Sequence, residues 1–192
     1  MIEKRNLIDN IIASRKNLVD SAPRTSLEAH SEAAEGGCGV VGLAANFPVQ
    51  GLHLTPAATQ MHNRGNGKGG GIAAAGLDPK EMGVSKQTLR EATLLQIAYI
   101  DESSRPTVES DIINPRYEVI KANRVPTLDD YQSVPGLEVR PPDVWRYFVR
   151  ARSDQLANFA SKKNLAGLQP RQLEDEFVYQ TSFELNNRYY AS

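Results

Sequence analysis

Two short apolar runs, each entered through glycines, constrain this chain more than any other feature. The first, CGVVGLAA, covers residues 38–45 behind Gly36 and Gly37. The second, GIAAAGL, covers residues 71–77 and follows the loop NRGNGKGGG. Short apolar runs bounded by turn residues read as buried strands. Between them Thr55 precedes Pro56, a good N-cap followed by proline at the first helical position. A short helix over AATQMH is therefore expected to connect the two strands.

The flanking segments have other textures. Residues 2–19 carry Leu7, Ile8, Ile11, Ile12, Leu18 and Val19 at the spacing of one helix face, and Pro23 ends that pattern. A polar, alanine-rich stretch follows, where Thr25 and Glu28 have the spacing of a capping box. The composition changes at the glycines, so residues 1–37 read as an appendage to the fold. Beyond Pro79 the signals are mixed. Tyr117, Val119 and Lys121 predict one strand, and Trp145, Tyr147, Val149 and Ala151 alternate as another. Ser153 is placed to cap a helix carrying Leu156, Phe159 and Ala160, with Gly167 beyond its end. FVYQTSFEL, residues 177–185, predicts a further strand, and Pro126 to Asp143 a loop or insertion. The fold class that results is α+β.

The totals exclude several functions. The 192 residues are 40% hydrophobic, enough for one globular domain with a core. Twenty-two basic and 23 acidic residues leave a net charge of −1, so no bulk electrostatic case exists for nucleic acid or an anionic membrane. No apolar run approaches the ~20 residues that span a bilayer. Asp9, Asn10, Arg15 and Lys16 interrupt any signal-peptide core. The single cysteine cannot form an internal disulfide, which fits a reducing compartment. A soluble cytoplasmic protein is expected.

Neither glycine motif binds a nucleotide. Gly37, Gly39 and Gly42 satisfy the dinucleotide spacing, but SEAAE precedes them where a strand is required. Gly67-Lys68 has the sound of a P-loop, yet His62 and Gly69 stand where that motif needs a glycine and a hydroxyl. No cofactor and no metal are expected.

The lone thiol is then the question. Most solitary cysteines are small buried hydrophobes. A packed cysteine gains nothing from surrounding glycines, which weaken a strand. Cys38 also lies at the seam between a polar appendage and an apolar run, where a proteolytic cut would make it residue one. An N-terminal cysteine carries its own base, because an α-amine of pKa ~7.7–8.0 can take the thiol proton.

CGVVGL, followed by MHNRGNGKGGGIA, resembles the class II glutamine amidotransferases, the N-terminal-nucleophile hydrolases. It is most similar to the glutaminase domain of glutamate synthase-like proteins. The resemblance covers residues 38–77 strongly. It implies a four-layer αββα sandwich, incomplete in this chain, with an insertion around residues 79–175. It implies Cys38 as the nucleophile, residues 1–37 as a pro-segment, and residues 38–192 as the N-terminal part of the domain. Gly39, next to the thiol, would leave room for substrate; Arg64 and Gly65 would form the supporting Arg-Gly loop; Gly71, Ile72 and Ala73 would begin the second strand. Lys68 reads as a solvated loop charge and His62 as a helix-end packing residue. The family's carboxylate-binding arginine segment and its oxyanion Asn-Gly segment have no match here. Arg188-Tyr189 is the nearest echo of the first, and Asn66-Gly67 belongs to the other loop. The chain is thus expected to be the N-terminal piece of a longer polypeptide, nearly silent alone. Glutamine is the implied substrate, and a synthase subunit or domain that accepts ammonia is the implied partner. The alternative is a non-catalytic, amidotransferase-like interaction subunit.

Overall fold

In the computed structural model, the residues described are 2–22, 39–61, 64, 71–125, 127–134 and 140–189. The chain divides into two compact units. The first comprises Met1–Thr25, Asp78–Pro126 and Pro142–Ser192; the second comprises Ser26–Leu77 and Thr127–Pro141. The elements are mixed α and β, as expected for α+β.

The first unit is built on a three-stranded antiparallel sheet. Its strands are β1 (Thr93–Tyr99), β2 (Tyr117–Val125) and β3 (Asp143–Ala151), in the order β1-β3-β2. Strand β3 forms where the sequence predicts it, although Phe148, on its other face, is fully buried too. Tyr147 and Val149 are buried on one face, with Trp145 and Ala151 packed beside them. Leu95, Ile97 and Tyr99 of β1 join the same core, because Leu95 pairs with Tyr147 and Ile97 with Trp145.

Strand β2 behaves differently from its sequence reading. Tyr117, Val119 and Lys121 were expected to share a face. A register shift between Val119 and Lys121 changes the phase, so Val119 pairs with Val149 but Lys121 pairs with Phe148. An extra residue in one strand moves everything after it to the other side. Lys121 thereby reaches the turn at Met82 and Gly83, donating to the Gly83 carbonyl at 2.6 Å. Gly83 has φ 63°, a conformation that favours glycine.

Helices cover the core face. Helix α1 (Ile2–Ser21) forms where the apolar spacing predicts it, but its apolar residues divide. Leu7, Ile11 and Leu18 turn inward, whereas Ile8, Ile12 and Val19 are more than half exposed. Helix α2 (Leu54–Thr59) belongs to the second unit; α3 (Lys86–Glu91), in the first, is short and is capped by the Ser85 side chain, which accepts from the Thr88 N–H. Helix α4 (Arg105–Val108) continues through a π-helical turn, Glu109–Ile113, into α5 (Asn114–Arg116). The widened turn precedes Pro115, whose ring would collide with the Asp111 carbonyl in a regular α-helix. Ile112 and Ile113 on this turn are fully buried.

Helix α6 (Ser153–Lys163) begins after Arg152, so Ser153 is inside it rather than its cap. It ends on Asn164, with φ 56°, and Gly167 lies beyond that end, as expected. The Leu165 N–H returns to the Ala160 carbonyl at 2.8 Å, and Leu165 itself is fully buried. A left-handed asparagine followed by a buried apolar residue is one standard helix stop.

The strand expected over residues 177–185 is not formed. Those residues belong to helix α7 (Pro170–Tyr189). The buried positions Glu176, Phe177, Gln180 and Thr181 recur at helical, not alternating, intervals. Pro170 starts the helix, and the Gln172 side chain accepts from the Gln169 N–H, half of a capping box. Phe177 then meets Tyr117 and Phe159 edge to face, at 5.6 and 5.3 Å.

The second unit is sparser. A 3-10 turn at Gly51–His53 leads directly into α2. The helix starts at Leu54, one residue before the expected cap, and the Thr55 carbonyl accepts from the Thr59 hydroxyl at 2.9 Å. Residues 39–45 and 71–77, expected as strands, are in none. A strand needs a hydrogen-bonded neighbour, and among the described residues neither run has one. No described residue from Gly39 to Leu77 is buried, and Val40, Phe47, Leu52 and Ile72 are each more than 60% exposed. Another 3-10 turn, Tyr131–Ser133, lies in the loop expected between Pro126 and Asp143.

Candidate active site

The expected site lies in the second unit. Cys38 and Gly65 lie outside the described residues, as do His62, Lys68 and Asn66-Gly67. Gly39 and Arg64 are described, and the fold brings them together. Helix α2 ends in a turn where the Met61 N–H donates to the Ala58 carbonyl, and the Arg64 N–H donates to the Met61 carbonyl, each at 2.9 Å. This turn presses against Gly39. A β-carbon at Gly39 would stand 2.7 Å from Met61 Cβ, 3.0 Å from the Met61 carbonyl oxygen and 3.3 Å from Arg64 Cβ. Residue 39 must therefore be glycine for the turn to close on it. The residue that follows the cysteine touches the turn that carries the arginine. Gly71, at the start of the second apolar run, has open space around it, so no such constraint applies there.

Arg188-Tyr189, the echo of a carboxylate-binding segment, is occupied within the first unit. Arg188 donates to Asp111 at 2.7 Å, and the Tyr189 hydroxyl donates to the same carboxylate oxygen at 3.0 Å. Those bonds, with Ser110, hold the Asp111 carboxyl below its ordinary value.

Sequence reasoning missed the buried polar groups of the first unit. Glu109 accepts from the Tyr147 hydroxyl at 2.9 Å and from Arg105 at 3.0 Å, and the Tyr147 hydroxyl also contacts that of Tyr99 at 3.2 Å. Burial, with Tyr99 and Glu109 beside it, pushes the Tyr147 hydroxyl far above its usual range. Arg105 lies 4.0 Å over the Trp145 ring, whose N–H donates to Glu102 at 3.0 Å. Each charge in this network meets a partner.

The second missed group is Glu176, only 5% exposed on α7. Arg15 of α1 grips it with two nitrogens, Nε to Oε1 at 2.9 Å and Nη2 to Oε2 at 2.5 Å. Gln180 donates to Glu176 at 2.9 Å and to the buried Ser14 hydroxyl at 2.6 Å. Burial acts to raise the Glu176 carboxyl, but the bonds from Arg15 and Gln180 outweigh it and hold it below its ordinary value. The available signal was a glutamate and a glutamine in helical register with Phe177. Nearby, a cleft of about 220 Å³ opens between α6 and α7, lined by Arg116, Lys162, Lys163, Phe159, Phe177 and Glu184, among others.

Among the described residues no group of three or more histidine, cysteine, aspartate or glutamate side chains could hold a metal ion. Among them, too, no helix is long and apolar enough to cross a membrane. Set against known protein families, curated proteins and solved structures, the chain matches none.

Proposed function

We propose that the chain carries the nucleophile end of a class II glutamine amidotransferase, with Cys38 as its catalytic thiol. The observation that carries this reading is the fit of Gly39 against the turn bearing Arg64. Gly39 belongs to CGVVGL, and Met61 and Arg64 belong to MHNRGNGKGGGIA, so the contact links the two parts of the motif and supports the reading.

The chemistry balances without a cofactor. Cleavage before Cys38 frees its α-amine, which takes the thiol proton. The thiolate adds to the side-chain carboxamide carbon of glutamine, and the C–N bond breaks. The proton leaves with the nitrogen as ammonia, and a γ-glutamyl thioester remains. Water then cleaves the C–S bond, releasing glutamate and restoring the thiol. A free thiol persists in the reducing cytoplasm, where we place the reaction.

The apolar runs at 39–45 and 71–77 would be strands of a four-layer αββα sandwich once further polypeptide pairs with them. Their exposed Val40, Leu43 and Ile72 support that reading. Ammonia would pass to a synthase subunit or domain that makes glutamate.

A glutamine-mimicking diazo-ketone tests the proposal on the protein isolated with its natural partners. Modification confined to Cys38, with ammonia release abolished by Cys38→Ala, is the expected result. Undiminished ammonia release by Cys38→Ala would make the thiol structural.

A further inference from the structure

The helix that a cut before Cys38 would sever from the rest is not seated as a disposable appendage. Helix α1 lies against α6, α7 and the link between them through polar and apolar contacts spread along its length. At its start Leu7 packs on Gly167, with methyl carbons 3.7–3.8 Å from where a β-carbon there would stand. In the middle the Asn10 amide donates to the Asn164 carbonyl at 3.0 Å, the residue that ends α6. One turn further, Ser14 is 4% exposed and accepts from Gln180. Arg15 then binds Glu176 and lies 4.2 Å over the Tyr179 ring. Leu18 lines the cleft between α6 and α7.

We infer that the α6–α7 face is a binding surface for α1 that works without covalent linkage. Cutting the chain between Ala22 and Cys38 leaves α1 in place as a bound subunit. The physical reason is Glu176. Losing α1 would exchange the two-nitrogen grip of Arg15 on Glu176, and the Ser14–Gln180 bond beside it, for contacts with water, and charge-assisted fork pairs are among the stronger hydrogen bonds. Release would also uncover Leu7, Ile11 and Leu18 together with the apolar surface they meet. The biological consequence rests on the proposed cleavage: the mature enzyme would be a two-chain protein. The binding itself does not rest on it.

A recognition sequence for a site-specific protease, placed within residues 24–36 of the full chain, separates the two. After the cut, denaturing chromatography should resolve the N-terminal peptide, whereas native size exclusion should show it eluting with the remainder. Exchange of the bound peptide for a fluorescent copy of residues 1–22 gives the dissociation rate. Arg15→Ala should speed this exchange about 30-fold, and Lys16→Ala, which alters an exposed pair with Asp20, should leave it unchanged. Separate elution of the peptide from the cut wild-type protein overturns the inference, whether or not the remainder stays folded. Equal exchange rates for the two variants overturn it as well. Because no outcome uses glutaminase activity, a failure of Cys38 to be processed in the unmodified chain would be read separately, by its intact mass.

Discussion

Arg15 and Glu176 are 161 residues apart in sequence, yet their side chains form a two-nitrogen, two-oxygen clasp with the carboxylate 5% exposed. The guanidinium is the more open partner, at 45%. A fork-shaped cation suits this position better than lysine, because two of its nitrogens between them reach both carboxylate oxygens.

Arg15→Ala should lower the stability of the first unit by about 2 kcal/mol. This is less than a fully buried pair would lose, since solvent reaches the arginine. Urea denaturation followed by circular dichroism measures it. A loss below about 0.5 kcal/mol, typical of a surface pair, would mean that Glu176 finds other company.

The same pair sets an acid limit. The Glu176 carboxyl is held below its ordinary value of 4.5 in the folded chain. Unfolding therefore takes up a proton, and the contribution is complete above that ordinary value. It fades as pH falls below 4.5 and through the lower folded value. Thermal unfolding of wild type and Glu176→Gln across pH 3 to 7 should show curves that converge toward the acid end. Parallel curves would contradict the assignment.

Tyr117→Phe should be neutral or stabilise by up to about 1 kcal/mol. The ring is 1% exposed and its hydroxyl has no hydrogen-bond partner of good geometry. Burial pushes that hydroxyl up to about 12, with Thr181 and Arg116 offsetting part of the effect. The Tm of the variant decides the matter. A fall of several degrees would show that the hydroxyl is satisfied after all.

Gly39→Ala should disrupt the second unit by about 1–3 kcal/mol, the range for forcing an extra carbon into packed space. The clash is with the Met61 β-carbon and carbonyl, which cannot swing away as a side-chain tip can. In the assembled protein, the rate of Cys38 labelling by the diazo-ketone should drop accordingly. An unchanged labelling rate would separate the glycine from the thiol's surroundings. Gly71→Ala, in open space, is the matched control.

Much of this protein is local in origin. The period-2 pattern of Trp145, Tyr147, Val149 and Ala151 produces a strand because alternate side chains on β3 fall on one face. The spacing of Leu7, Ile11 and Leu18 makes α1, which ends at Ser21, close to where Pro23 breaks the pattern in the sequence. The glycine between a cysteine and an apolar run marks Gly39 before any contact is seen. In each case the information sits within a few residues of where it acts.

Tertiary structure decided the rest. FVYQTSFEL has strand-forming residues, yet Pro170 upstream and a core waiting for Phe177, Gln180 and Thr181 at helical intervals make it part of α7. CGVVGLAA and GIAAAGL have the composition of strands, but a strand is completed by its neighbour's hydrogen bonds, and none is supplied among the described residues. The bulge in β2 answers to the partner strand and to the Gly83 carbonyl that takes Lys121. Whether Arg15 would be a solvated charge or the counterion of a buried glutamate depends on a residue at the far end of the chain. Sequence patterns carry short-range geometry, because helix and strand repeat within a few residues. Pairing, burial and charge compensation depend on which distant residues fold onto one another.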